Sequence, residues 1–237
     1  MKQRPKMWWL FLLLIPGLAL AATEMELTAP GGGEMDLKRN VMQYYGTDKQ
    51  LVSARWDNST LEAKTLEYDR EKEIATGKQL VRLTQINPNR ILTCSEVIVD
   101  MKRDFLVALN NVNLKYDDTT AFSCNRLEWD RRNEQVQLTG KPEISYKEWR
   151  ITGDQVEGQI GKGQLVISGA AQIQGNDATA KAGKMLFNRE TEKVVLQDSP
   201  TVIRGNSQLT ATEIVYDLKT KKVTATGGVQ SKIIKNP

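Results

Sequence analysis

Apolar positions along this chain recur with a period of about 30 residues. From Ala63 as anchor, a small residue returns at Cys94, Cys124, Gly153, Ala182 and Ala211, at spacings of 31, 30, 29, 29 and 29. Two residues before these stand Leu61, Leu92, Phe122, Ile151, Ala180 and Leu209; three after stand Leu66, Val97, Leu127, Val156, Met185 and Ile214. Five after stand Tyr68, Val99, Trp129, Gly158, Phe187 and Tyr216, and six after stand Asp69, Asp100, Asp130, Gln159, Asn188 and Asp217. Chance alternation does not hold phase over ~150 residues, so the chain is a repeat protein. Residues 35–54 hold one more, degenerate copy, with Val41, Tyr45 and the run Leu51 to Ala54.

Within each unit the alternation has period two, which predicts strands and an all-β fold. Polar stretches after the Asp, such as Arg70 to Glu73 and Arg131 to Glu134, read as hairpin turns in which the carboxylate bonds the local backbone. A second alternating run follows and ends at Gly140, Gly169 or Gly227. The step from anchor to next apolar residue is odd, so a straight strand would put Leu61 and Leu66 on opposite faces. A bend or bulge at the small anchor turns both inward, and the glycines mark the matching bend in the second strand. Each unit is expected to be a hairpin folded over, with two layers around one apolar interior. Stacked neighbours close that interior and leave open strand edges at the two ends. Gly158, Gly161 and Gly163 in the fourth unit, and Asp198-Ser-Pro200 in the fifth, depart from the pattern. A wider or more mobile closure is expected there.

The ends read differently. Lys2, Arg4 and Lys6 precede an apolar run from Met7 to Leu20, and Ala19-Leu20-Ala21 supplies small residues for cleavage. Residues 1–22 are therefore expected to be a secretory signal peptide, the run being short for a membrane span. Residues 23–34, with Gly31-Gly-Gly33, are expected as a linker, and residues 35–237 as the repeat domain. No second apolar segment is long enough to span a bilayer. Val229 to Pro237 reads as a terminal strand available to a partner.

Charge and chemistry narrow the function. The 237 residues include 33 basic and 29 acidic side chains; without the three basic residues of the signal, 30 stand against 29, a net charge of +1. No basic cluster stands out, so no nucleic-acid partner is expected. There is no histidine, which removes Ser-His and Cys-His nucleophile pairs and the commonest zinc ligand. An enzyme on a β-solenoid would need paired carboxylates outside the repeat register, and none is convincing. The recurring Asp69, Asp100, Asp130 and Asp217 read as turn residues, since the glycine-rich run of calcium-binding repeats is absent. Trp56, Trp129 and Trp149 are weighed as a sugar-stacking platform, but only Trp129 sits at a repeat position. No catalytic residue, metal site or cofactor is expected.

Cys94 and Cys124 occupy equivalent anchors in adjacent units. With two neighbouring strands per unit they lie ~9–10 Å apart, too far for a bridge. If strands alternate between sheets, the spacing halves and a disulfide fits the oxidising compartment that export implies. Two buried free thiols are the favoured expectation, and the bridge stays open.

The segment Ser207-Gln-Leu-Thr-Ala-Thr-Glu-Ile-Val-Tyr-Asp-Leu-Lys-Thr-Lys-Lys-Val-Thr-Ala-Thr-Gly-Gly-Val229 resembles the OstA-like repeat of periplasmic lipopolysaccharide-transport proteins, and the likeness runs in repeats over roughly residues 35–233. The resemblance implies an elongated, bent two-layer β-jellyroll whose apolar interior carries lipopolysaccharide acyl chains. A cleavable signal with no retained anchor points to the soluble bridge member of that family. Expected partners are lipopolysaccharide or a similar lipid, the β-jellyroll domains of an inner-membrane extraction complex and an outer-membrane translocon, and further copies joined head to tail. The interior positions expected to touch lipid are Leu61, Leu66, Leu92, Val97, Phe122, Leu127, Ile151, Val156, Met185 and Ile214. Each is equally an ordinary core position, and a polymerising envelope scaffold with a tightly closed core and no lipid is the rival reading.

Overall fold

The computed structural model describes residues 25–233; the expected signal peptide, residues 1–22, lies outside them, as do residues 234–237. The described elements are β-strands joined in one antiparallel sheet of 22 strands. The chain zigzags through successive hairpins, and each long strand breaks in the middle. In Ile74–Gln85, Arg90–Asp100, Thr120–Asp130 and Gln164–Gln174 the register shifts between Lys78/Val81, Thr93/Glu96, Cys124/Arg126 and Ser168/Ala171. Elsewhere the same bend splits a strand outright, as between Ser59–Ala63 and Thr65–Asp69 or between Lys193–Gln197 and Thr201–Arg204.

The breaks fold the sheet into two facing layers. Halves that run to the Asp turns form the first layer, in which Thr65–Asp69 pairs with residues 74–78 and Gln135–Thr139 with Gln155–Gln159. The other halves form the second layer, in which Val52–Trp56 pairs with Ser59–Ala63 and Glu143–Tyr146 with Trp149–Thr152. One long edge of the molecule is thus a seam of bent strands, and the opposite edge is a mouth between two rows of turns.

The anchors sit on the seam, where the fold leaves no room for larger side chains. A Cβ on Gly77 would lie 3.2 Å from the Ala63 Cβ, and one on Gly153 would lie 2.5 Å from the Ile167 Cγ2. The second strand of each hairpin turns the corner with two consecutive left-handed residues. Glycine opens the pair at Gly140/Lys141, Gly169/Ala170 and Gly227/Gly228, but Gln79/Leu80, Asn110/Asn111 and Asp198/Ser199 adopt the same conformation without it. The expected loosening of the fifth unit is therefore absent: Asp198 and Ser199 take φ of 63° and 61°, and Leu196 and Val202 on either side are buried. The fourth unit closes too. Gly163, at φ 60°, ends its turn as Glu134 does at 52°, and Ile160 folds into the core at 2 % exposure.

The stretch expected as a linker carries strands. Glu26–Thr28 pairs with Val52–Trp56, and Gly33–Asp36 pairs with Val41–Tyr45. Glycine permits this, because a Cβ on Gly31 would meet the Tyr45 carbonyl oxygen at 2.7 Å, and the Gly31 N–H donates to that same oxygen at 2.8 Å. Among the described residues no helix is long and apolar enough to cross a membrane.

Candidate functional site

The ten interior positions named from sequence all lie in one continuous core cluster, none more than 3 % exposed. Leu61, Leu92, Phe122 and Ile151 project from the second layer; Leu66, Val97, Leu127, Val156, Met185 and Ile214 project from the first. The bend at the small anchor is what turns both sets inward. Trp56, Trp129 and Trp149 are buried as well, which removes them as a surface platform for sugars.

Among the described residues this interior is closely packed. A cavity of about 10 Å³ lies among Ser59, Leu83, Leu92, Leu114 and Trp129, room for about one water. A larger concavity of about 570 Å³ lies around the outward-facing Val166, Leu186 and Val195, backed by Leu165 and Phe187.

The mouth joins repeat-register aromatics to residues that the register did not single out. Just inside it, aromatic rings from the two layers meet edge to face or tilted: Tyr116 with Trp129 at 6.5 Å, Tyr146 with Phe187 at 5.2 Å, and Trp149 with Tyr216 at 5.3 Å. Over them run ion pairs that also cross from layer to layer. Arg90 of the second layer reaches Glu134 of the first at 2.8 Å; Lys147 reaches Glu192 at 2.7 Å. Asp117 receives Arg189 of the first layer at 2.5 Å, and Asp177 faces Lys221 at 3.9 Å. The Arg90 guanidinium also donates to the Tyr116 hydroxyl at 2.7 Å and lies 4.1 Å from that ring's centre and 5.2 Å from Trp129. Arg90 Nε and Trp129 Nε1 are buried without a protein partner, beside the small cavity that both residues line. Burial pushes the Tyr116 and Tyr216 hydroxyls above their ordinary range, and the hydrogen bond from Lys147 to Glu192 raises the Lys147 ammonium.

Two other sequence readings resolve here. The repeating Asp is turn chemistry: Asp36 Oδ1 accepts the Lys38 and Arg39 N–H groups at 3.0 and 3.1 Å, and Asp69 and Asp130 repeat the geometry. The Lys72 side chain beside Asp69, and Asn133 beside Asp130, hold those carboxyls below the usual range. Cys94 and Cys124 are free and buried, with the strand Phe105–Lys115 between them. Burial raises their thiols to about 11 and about 12, so both stay protonated.

Residues 159–222, about two repeats, match the family model described as LptA/(LptD N-terminal domain) LPS transport protein. That stretch is similar to the OstA-like domain of lipopolysaccharide-transport proteins. The same bent-hairpin geometry extends on both sides of the matched OstA-like stretch. No curated protein matches the sequence. Among solved structures, the chain is similar to the crystal structure of LptH, the LptA-homologous periplasmic component of the lipopolysaccharide transport device of Pseudomonas aeruginosa. That similarity is 16 % in identity over 70 % of this chain and 99 % of the other, with a TM-score of 0.29.

Proposed function

We propose that this OstA-like chain is a non-catalytic periplasmic carrier of the LptA type, which holds lipopolysaccharide acyl chains in its interior and bridges the inner and outer membranes. The observation that carries the reading is the single apolar core cluster, built from recurring repeat positions from Val52 to Leu218 and including the stretch that matches the family, residues 159–222. Acyl chains need only such a surface: each buried CH₂ contributes about 0.8 kcal/mol without a charged contact.

Bridging rests on the ends. Among the described residues, Glu26–Thr28 and Gly33–Asp36 each have a partner on one side, as do Val223–Thr226 and Gln230–Ile233 at the other end. Exposed Met35, Leu37, Val229 and Ile233 lie on or beside these edges. Edges of this kind take up another strand, so a second copy, or the β-jellyroll of an inner- or outer-membrane partner, adds head to tail.

The packed interior favours a second reading, a polymerising scaffold with no lipid cargo. A photocrosslinking amino acid at Leu127, Ile151 or Val156 separates the two. The carrier yields adducts with lipopolysaccharide at these positions and none at outward Glu128. Adducts at neither, together with concentration-dependent assembly, leave the scaffold.

A further inference from the structure

A closed interior that holds lipid must open somewhere, and the two long edges are unequal. Along the seam the chain itself passes from layer to layer in every repeat. Along the mouth, among the described residues, the backbone hydrogen bonds between neighbouring turns stay within one layer. Ile86 N–H donates to Asn58 and Lys147 N–H to Thr119 in the second layer; Arg131 N–H donates to Asp104 and Leu218 N–H to Glu192 in the first. Only side chains cross the gap. Partly exposed ion pairs of this kind are individually weak and screened by solvent, unlike a covalent seam.

We propose that the mouth is a lateral gate latched by the cross-layer pairs Arg90–Glu134, Arg189–Asp117 and Lys147–Glu192, and that an anionic amphiphile opens it by taking the cations from the carboxylates. The proposal rests on the carrier reading. The charge arrangement fits it, because cations stand on both lips: Arg90 and Lys147 on the second layer, Arg189 on the first. When the latch parts, the carboxylates turn to water and the cations bracket an anionic headgroup, while the acyl chains pass between the aromatic pairs into the interior. The ends need not open for loading, so the gate works in a chain of copies already paired end to end.

The gate itself is tested without lipid. Spin labels on exposed Asp118 and Glu190, in turns on opposite lips, report the width of the mouth. Lys147→Met is expected to broaden that distance distribution, and a pair of labels on one layer stays unchanged. No broadening overturns the gate whatever lipid does. The lipid arm uses Cys94→Ala/Cys124→Ala protein carrying Lys147→Cys and Glu192→Cys, joined by a bis-maleimide linker with a reducible internal disulfide, with photocrosslinking at Val156 to purified lipopolysaccharide. The linked protein is expected to capture at least tenfold less, with recovery on reduction. Equal capture by linked and reduced protein overturns the gate and leaves the carrier intact; no capture by the unmodified chain overturns the carrier. For the exchange, Glu134→Gln/Glu192→Gln unlatches the mouth and leaves the cations free, and capture is expected several-fold faster than in Arg90→Met/Lys147→Met. Equal rates in the two variants overturn the exchange.

Discussion

The seam and the mouth of this molecule solve the same problem with opposite materials. Both must hold two sheet layers against one interior. The seam does it with the backbone, and its side chains are small: Ala63, Cys94, Cys124, Gly153 and Ala182 in the anchor positions, with Gly77 against Ala63. The mouth does it with side chains, and they are large: Tyr116, Trp129, Tyr146, Phe187, Trp149 and Tyr216 beneath a row of ion pairs. The contrast teaches where each edge is vulnerable. The seam fails when a side chain grows, the mouth when one shrinks.

The largest effect is expected at the mouth. Phe187 is 2 % exposed and packs its ring 5.2 Å from that of Tyr146 across the gap. Phe187→Ala leaves a cavity that the rigid sheet cannot close, and urea unfolding is expected to show a loss of about 3–5 kcal/mol. The seam responds to the reverse change. Ala63→Leu pushes a branched side chain into the space shared with Gly77, where even one added Cβ would stand 3.2 Å from the Ala63 Cβ. The expected loss is about 1–3 kcal/mol. If Ala63→Leu costs less than Ala63→Gly, the seam is not tightly packed and the comparison breaks.

The seam was legible in the sequence and the pairing across the mouth was not, for a physical reason. A bend that recurs in every repeat leaves a small residue at a fixed phase, and the odd step from Ala63 to Leu66 exposes it even in one chain. The mouth depends on which turn faces which after the layers are stacked and twisted, so Arg90 meets a residue 44 positions on and Asp117 one 72 positions on. No fixed spacing announces such pairs. Part of the seam was also hidden. Gly140, Gly169 and Gly227 mark the second bend, but Asn110-Asn111 and Asp198-Ser199 perform it with residues that tolerate the left-handed region through local hydrogen bonding. The glycine run 31–33 reads as a linker from sequence because glycine serves loops and close backbone approach equally well; here it serves the second.

A smaller effect sharpens the seam. Leu80 holds φ at 54° with 72 % of its surface exposed, so it bears the strain of a left-handed leucine and buries little in return. Leu80→Gly removes the clash between Cβ and the following carbonyl. The net gain is expected at about 0.5–1 kcal/mol after the extra chain entropy of glycine is subtracted. Thermal or urea unfolding that shows a loss means that the leucine side chain contributes more than its backbone strain costs.

The smallest effect concerns the turns that form the first layer's lip, and it carries its own control. Hydrogen bonds to Asp36, Asp69 and Asp130 lower these carboxyls from an ordinary 3.8. A carboxyl lowered in the folded state contributes stability that is fully present above the unfolded value and lost as pH falls through the folded value. The turns should therefore be unaffected from neutral pH down to about 5 and loosen progressively below 3.8. The fifth repeat performs the same turn with an amide: Asn188 Oδ1 accepts the Thr191 N–H at 2.9 Å, and an amide does not titrate. After correction for intrinsic exchange, hydrogen exchange at Lys72 and Asn133 should rise on acidification while Thr191 keeps its protection. A parallel rise at all three would mean that acid opens the whole lip, through the mouth's own carboxylates, before it reaches the individual turns.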